Sequence, residues 1–199
     1  DFMSFLKRGK KTETAMLPLL KTERLVLRGF ELSDAVDVFA YAQNEKVGPM
    51  AGWAPHQTVE ESRKIVAMFI EHGDVWAIVD KKTGRVIGSI GLHKDYRRAV
   101  EGAKELGYAL GEAYWGQGFA TEACRAVLAY AFTELGSPVV GVIHFPFNQK
   151  SKHVIKKLGF RFDGTLRASA TLPDGTIADE CCYSLLKTEY EAQEALANK

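Results

Sequence analysis

Apolar positions along the chain follow two rhythms, a period of two and a period near 3.6, broken by glycine, proline and polar clusters. R-L-V-L-R-G-F (24–30) reads as a strand. Ser33 then reads as an N-cap, with Asp34 and Asp37 in the first turn, where the helix dipole favours acids. That helix is expected to reach about Gln43. V-G-P-M-A-G-W-A-P-H (47–56) is rich in glycine, proline and aromatics and predicts a loop. Thr58 opens another helix: T-V-E-E fits a capping box with Glu61 at N3, Ile65, Val66 and Phe69 share a face, and Gly73 closes it. V-W-A-I-V-D (75–80) and R-V-I-G-S-I-G-L-H (85–93), joined by K-K-T-G, predict a hairpin, and K-E-L-G-Y-A-L (104–110) a further strand. A glycine-bearing turn then leads into a helix expected to run to about Leu135. Ala120, Cys124, Val127, Ala131 and Leu135 form its stripe, and Gly136 and Pro138 end it. V-V-G-V-I-H-F (139–145) predicts a buried strand, and K-S-K-H-V-I-K-K-L (150–158) a short helix closed by Gly159. Two strands near 160–170 and 177–187 flank the turn P-D-G-T. The last ten residues predict a surface helix or a frayed end.

The order is β-α-α-β-β-β-α-β-α-β-β. Strands and helices mix without strict alternation, which predicts a mixed α/β (α+β) fold with helices on both faces of a mixed sheet, not a doubly wound parallel one. No repeat, low-complexity block or linker interrupts the pattern. Residues 21–188 therefore read as one domain, preceded by a basic, pattern-poor arm over 1–20, expected to be flexible, and followed by a tail over 189–199.

Composition narrows the function classes. The chain has 199 residues, 46% of them hydrophobic and 11% aromatic, as in ordinary globular proteins. A formal net charge of +1 gives no general reason to expect nucleic acid as a partner. No apolar run approaches the ~18 residues of a membrane span. The opening D-F-M-S-F-L-K-R-G-K-K has basic residues with no apolar stretch behind them and does not read as a signal peptide. There are three cysteines, Cys124, Cys181 and Cys182, two of them adjacent. That suits neither a disulfide framework nor a C-x-x-C metal site, and reads as reduced structural thiols in a cytoplasmic protein with no bound metal.

The chemistry concentrates in Y-W-G-Q-G-F-A-T-E-A (114–123). Gly116 and Gly118 link a strand to a helix N-terminus. The first N–H groups of a helix have no internal partner, the dipole adds partial positive charge, and glycine lets the backbone approach a ligand closely. Such a loop suits the pyrophosphate of a cofactor without a charged side chain. It also suits a simple tight turn. It is not a Walker loop, since no G-K-S/T follows, and not a dinucleotide fingerprint, since Thr121 stands where a third glycine would be needed.

This stretch resembles the acetyl-CoA loop of the GNAT superfamily of N-acetyltransferases, R/Q-x-x-G-x-G/A, with Gly118 and Ala120 in its second half. Trp115 departs from the first position. That departure is similar to the ribosomal-protein N-terminal acetyltransferase subgroup, whose members often read Y-W-G-Q-G-Y/F-A-T-E-A. T-E-R-L-V-L-R (22–28), E-L-G-Y-A-L (105–110) and N-Q-K-S-K-H-V-I-K-K-L-G-F (148–160) resemble further segments of that subgroup, in its order, from about Lys21 to about Leu186.

The resemblance implies a mostly antiparallel central sheet of about seven strands. It implies attack of a primary amine on the thioester of acetyl-CoA, used as a cosubstrate without metal. Backbone amides of Gln117, Gly118, Phe119, Ala120 and Thr121 are assigned to the pyrophosphate, and Asn148 to the pantetheine arm. Lys150, Lys152 and Lys156 are in range for phosphates or form a solvated helix face. A backbone N–H at Leu110 or its neighbours is assigned to the carbonyl oxygen, because the next strand splays away there in the family.

Many members of the superfamily carry a tyrosine in the helix after the asparagine; here that position is Ile155. Ser151 matches the acid proposed for the subgroup, and it also suits a helix cap. Glu105 is the candidate base, at the start of the strand leading to the loop. His144 is second and is also suited to a buried structural role. In this superfamily the first two helices and their loop cover the acceptor cleft, which points to Met50, Trp53 and His56 in the 47–56 segment, with 167–178 near the last hairpin as a further stretch. The acceptor is a protein N-terminus or a small-molecule amine. The alternatives are a non-catalytic acyl-CoA-binding module and, further off, a nucleotide-phosphate binder. Many relatives dimerise, so a homodimer is among the expected states, although no apolar stripe declares an interface.

Overall fold

A computed structural model of the chain describes residues 16–197. Among these described residues, eight strands form one sheet in the order β1-β2-β3-β4-β5-β6-β8-β7. In chain order the elements are β1 (Leu20–Lys21), β2 (Leu25–Gly29), α1 (Ala35–Ala42), α2 (Gly48–Ala51), α3 (Val59–His72), β3 (Val75–Asp80), β4 (Val86–Lys94), β5 (Lys104–Leu110) and α4 (Phe119–Ala129). They continue with β6 (Val139–His144), α5 (Gln149–Lys157), β7 (Arg161–Thr171), β8 (Ile177–Leu186) and α6 (Lys187–Ala197). Every neighbouring pair is antiparallel except β5 and β6, which run parallel. The expected mixed, mostly antiparallel sheet is present, with eight strands where about seven were expected.

The two faces carry separate cores. Trp76, Ile90, Leu106 and Leu110 pack with Phe119, Cys124, Val127 and Phe132 on the α4 side. Val75, Ala77 and Ala109 pack with Val38, Trp53, Val66 and Phe69 on the α1 and α3 side. β3 is buried at all six positions, as befits a strand covered on both faces, so its sequence runs apolar without alternation.

Local chemistry sets the ends of the elements. Thr58 caps α3, its side chain accepting from the Glu61 N–H at 3.1 Å, and Gly73 closes the helix at φ 65°. The reciprocal bond to Glu61 comes from the Gln57 N–H, at 2.7 Å. Ser33 is not the cap expected ahead of α1. It lies inside a 3-10 turn, Leu32–Asp34, and Asp34 holds the turn, accepting from the Glu31 N–H at 2.8 Å and from Arg28. The two-oxygen carboxylate satisfies the turn and the guanidinium together, which a serine cannot.

The 47–56 segment holds the one-turn helix α2, with Pro49 in its first turn, where a missing N–H costs nothing. The helix after the glycine turn changes to a π turn over Tyr130–Glu134, which rotates Leu135 out to 46% exposure and brings Phe132 into the core. Residues 1–15 of the expected arm lie outside the described residues. The 20/21 boundary falls inside β1, and the Pro18 carbonyl accepts from the Trp76 indole at 2.9 Å. The C-terminal segment forms α6, docked by Tyr190 stacked on Phe132 at 4.7 Å.

Candidate active site

The single parallel pair makes the site. β5 and β6 stay in register only from Lys104 with Val140 to Leu106 with Val142; beyond that they part. On its other side β5 stays paired with β4 through Leu110, and the Gly111 N–H donates to the Ile87 carbonyl at 2.8 Å. By the alternation of an antiparallel ladder, the N–H groups of Tyr108 and Leu110 point to the parted edge. Beside the parted end of β5 lies a cleft of about 600 Å³ whose walls include Leu110, α5, and residues 114–116 and 118–121 of the glycine turn but not Gln117.

The glycine turn closes one end of this cleft. Gly116 and Gly118 have φ of 71° and 83°, left-handed values that side chains resist. Gly118 is the N-cap residue of α4 and offers no capping oxygen, so the N–H groups of Phe119, Ala120 and Thr121 have no acceptor within the helix. Partial positive charge therefore faces the cleft, and two positions of its wall, Gly116 and Gly118, lack a Cβ atom. The fit to a pyrophosphate is good.

Two residues from the other end of the chain hold this turn. The Glu122 carboxylate accepts from the Thr22 hydroxyl (2.6 Å), the Arg24 N–H (2.8 Å) and Arg24 Nε (2.7 Å). Arg24 also donates to the Gln117 carbonyl at 3.0 Å and lies 4.1 Å from the Phe119 ring centroid. Partial burial raises the Glu122 carboxyl, but these donors outweigh it and hold it below the usual carboxylate range. Trp115 stands at the cleft wall, half-buried. Its indole donates to the Leu110 carbonyl at 2.7 Å, and Lys150 Nζ sits 3.8 Å over its ring. Lys150 and Lys157 line the cleft, while Lys152 and Lys156 do not.

At the other end, a smaller cavity of about 90 Å³ opens beside Glu105 and His144. Asn148 caps α5: its Oδ1 accepts from the Ser151 N–H at 3.0 Å, and its Nδ2 donates to the Met50 carbonyl at 3.0 Å. The cap suggested for Ser151 is thus supplied by Asn148, and the Ser151 hydroxyl meets the Tyr108 phenol instead, at 3.0 Å. Ile155 is fully buried and takes no part in the cleft.

Glu105 is 12% exposed and ion-paired with Arg97, which also grips both oxygens of Glu180 at 3.0 and 2.9 Å. Burial raises the Glu105 carboxyl above its ordinary range, and Arg97 offsets only part of the shift. For Glu180 the balance is reversed: burial raises it, but Arg97 holds it low. His144 is buried, bonded to the Phe145 carbonyl (2.8 Å) and the Tyr183 hydroxyl (3.2 Å), and burial lowers its pKa.

Trp53 and His56 do not line either cavity. Trp53 is 8% exposed in the core under α1 and α3, and His56 is buried with Nδ1 2.7 Å from the Ser62 hydroxyl. Of the three expected residues in this segment, Met50 alone lines the cavities, with Ala51 beside it in α2. The sequence reading did not single out Tyr108, Arg24, Glu122 or Arg97. Tyr108 had a visible signal, since it alternates with Leu110 along β5. The ion-paired residues had none, because their partners are set by the fold.

Among the described residues no helix is long and apolar enough to cross a membrane, and no group of three or more His, Cys, Asp or Glu is placed to hold a metal ion. The three cysteines are free thiols.

The family model for the acetyltransferase (GNAT) domain matches residues 24–161. The N-acetyltransferase YoaA of Bacillus subtilis (strain 168) is 32% identical over 180 residues, 86% of this chain and 98% of that one. The crystal structure of a GNAT-family acetyltransferase from Bacillus anthracis superimposes with a TM-score of 0.78 at 26% identity, covering 86% of this chain and all of that one. The ribosomal-protein-S5-alanine acetyltransferase of Vibrio fischeri shares the fold, with a TM-score of 0.70 at 22% identity over 87% of this chain and 99% of that one. The parted strands, the glycine turn at a helix N-terminus and these likenesses agree: the chain belongs to the GNAT family of N-acetyltransferases.

Proposed function

We propose that this N-acetyltransferase moves the acetyl group of acetyl-CoA directly onto a primary amine, of a protein N-terminus or of a small molecule. The observation that carries the reading is the adjacency of the larger cleft and the smaller cavity. The two share a wall at Tyr108, Asn148 and Ser151: the larger is bounded by the amides at the start of α4 and the parted edge of β5, the smaller by the half-buried Glu105 carboxylate. Amides of Gln117 to Thr121 hold the pyrophosphate, Asn148 the pantetheine arm, and the Leu110 N–H the thioester oxygen, where charge develops. Glu105 is the base that takes the amine's proton. A carboxylate raised by burial is better matched to that task than an ordinary one. Ser151 is the acid at the departing sulfur. A protein N-terminus as acceptor is supported by the subgroup motifs and by the shared fold of the S5-alanine enzyme.

Calorimetric titration with acetyl-CoA, with ATP and NAD as controls, tests the cofactor. Micromolar binding of acetyl-CoA alone, about 8 kcal/mol, is expected. No binding would remove the whole assignment. A screen of N-terminal peptides and small amines, read by release of free thiol, then identifies the acceptor. Glu105→Gln is expected to slow that turnover about 100-fold or more at neutral pH with acetyl-CoA binding unchanged. One observation favours a second reading, a non-catalytic acyl-CoA-binding module: Arg97 already occupies the Glu105 carboxylate. That reading requires binding with no turnover on any amine of the panel.

A further inference from the structure

The larger cleft and the smaller cavity share a wall. Tyr108, Asn148, Ser151 and Met50 line both. Under the function proposed above, a thioester held along the glycine turn and an amine deprotonated at Glu105 must meet at this wall. At its centre the Tyr108 hydroxyl and Ser151 Oγ stand 3.0 Å apart. Neither is needed to finish local structure. Asn148 caps α5, and Tyr108 lies on the stretch of β5 that β6 has left.

Burial raises the Tyr108 phenol, so it carries its proton at neutral pH. Each hydroxyl has one hydrogen to place. If the phenol's hydrogen lies on Oγ, the hydrogen of Ser151 must turn away from Tyr108, into the cavities. When negative charge grows on a neighbouring sulfur, that arrangement is the favoured one, because both O–H dipoles then point along the field.

We propose that Tyr108 is a positioning residue: its phenol donates to Ser151 Oγ and turns the Ser151 O–H toward the sulfur of the thioester. This rests on the reading of Ser151 as the acid. In the step, the acceptor nitrogen bonds to the carbonyl carbon, and the carbon–sulfur bond breaks with its electron pair on sulfur. The Ser151 proton passes to sulfur while the phenol keeps its own hydrogen on Oγ, and the serine oxygen regains a proton from the one the nitrogen sheds to Glu105. One proton leaves nitrogen and one arrives at sulfur.

The test needs no acceptor. Coenzyme A, with its free thiol, is the probe, and its ionisation is followed by thiolate absorbance in the complex, less that of the protein alone. In the wild type the bound thiol is expected to ionise at lower pH than in Tyr108→Phe and in Ser151→Ala. The expected difference is about one pH unit, tenfold in the ionisation constant, the size of one hydrogen bond to a charged group. The double variant is expected to match the single ones, because the two hydroxyls act as a unit. Phenylalanine keeps the ring and its packing, and circular dichroism and the affinity for coenzyme A at pH 6, where the thiol is protonated, are expected to stay as in the wild type. A Tyr108→Phe titration that coincides with the wild type, while Ser151→Ala shifts, overturns the positioning role. So does a titration that neither variant moves. Failure of the wild type to bind coenzyme A overturns this inference and the function it rests on together.

Discussion

Glu122 shows how one side chain can fix the glycine turn that precedes it. Its three hydrogen bonds come from Thr22 and Arg24, about a hundred positions earlier, and they pin the start of α4 to the entry of β2. Charge-assisted bonds of this length are worth more than neutral ones, although Arg24 is 41% exposed and water screens part of the gain. Glu122→Gln is expected to cost about 1–2 kcal/mol in urea unfolding and to weaken acetyl-CoA binding. Glu60→Gln removes the exposed pair with Arg63 at 3.4 Å and is expected to cost less than about 0.5 kcal/mol. Equal losses from the two would show that the Glu122 cluster has no special weight. The sequence could offer Glu122 only as an acid in a first helical turn, because its partners lie in another segment. The same limit applied to Ser151, whose hydroxyl was free to be either cap or site residue until Asn148 was seen to hold the cap.

Elements were more legible than residues, for a physical reason. A strand or helix advertises itself by a period, a cap and a breaker, all local. The α3 helix is the clearest case, read from Thr58, Glu61 and Gly73 and built on those residues. What local signals missed were changes forced by packing: the one-turn helix at Gly48–Ala51, the π turn at Tyr130–Glu134, and the short strand Leu20–Lys21 that needs β2 to exist. The glycine turn belongs to this scale, because its two roles can be separated. Gly118 and Gly136 both hold left-handed φ, 83° and 65°, but only Gly118 borders the cleft. Alanine at either position is expected to cost about 1–2 kcal/mol of stability. Only Gly118→Ala, whose new methyl group would lie 3.4 Å from an Arg24 nitrogen, is expected to weaken acetyl-CoA binding as well. Calorimetry on the two variants distinguishes a ligand cradle from a turn, since a mere turn would leave both affinities unchanged.

Across the whole molecule, shielded carboxylates, Glu180 buried and Glu105 and Glu122 half-buried, are set against one another. Glu122 and Glu180 are held below the usual range by their donors, whereas burial leaves Glu105 above it. An unfolded glutamate titrates near ~4.3. A depressed carboxyl contributes stability that is complete above that value and lost as the pH falls through the folded pKa. A raised one acts in reverse: its ionised form costs stability at neutral pH, and the cost vanishes as the pH falls through its raised folded pKa and then below the unfolded value. Glu105→Gln is therefore expected to melt at a temperature no lower than the wild type at pH 7.5, with any gain disappearing toward pH 4. Glu122→Gln is expected to lose stability at pH 7.5, with the loss shrinking in acid. The opposite signs follow from position. Glu122 answers only to donors that fix the fold. Glu105 sits where the sheet has opened, and the desolvation that would make it a usable base destabilises the folded state, the usual trade of a functional site. A Glu105→Gln variant that melts clearly below the wild type at pH 7.5 would mean that the Arg97 ion pair outweighs burial. Glu105 would then be a structural anchor, and the search for the base would move to another group at the smaller cavity.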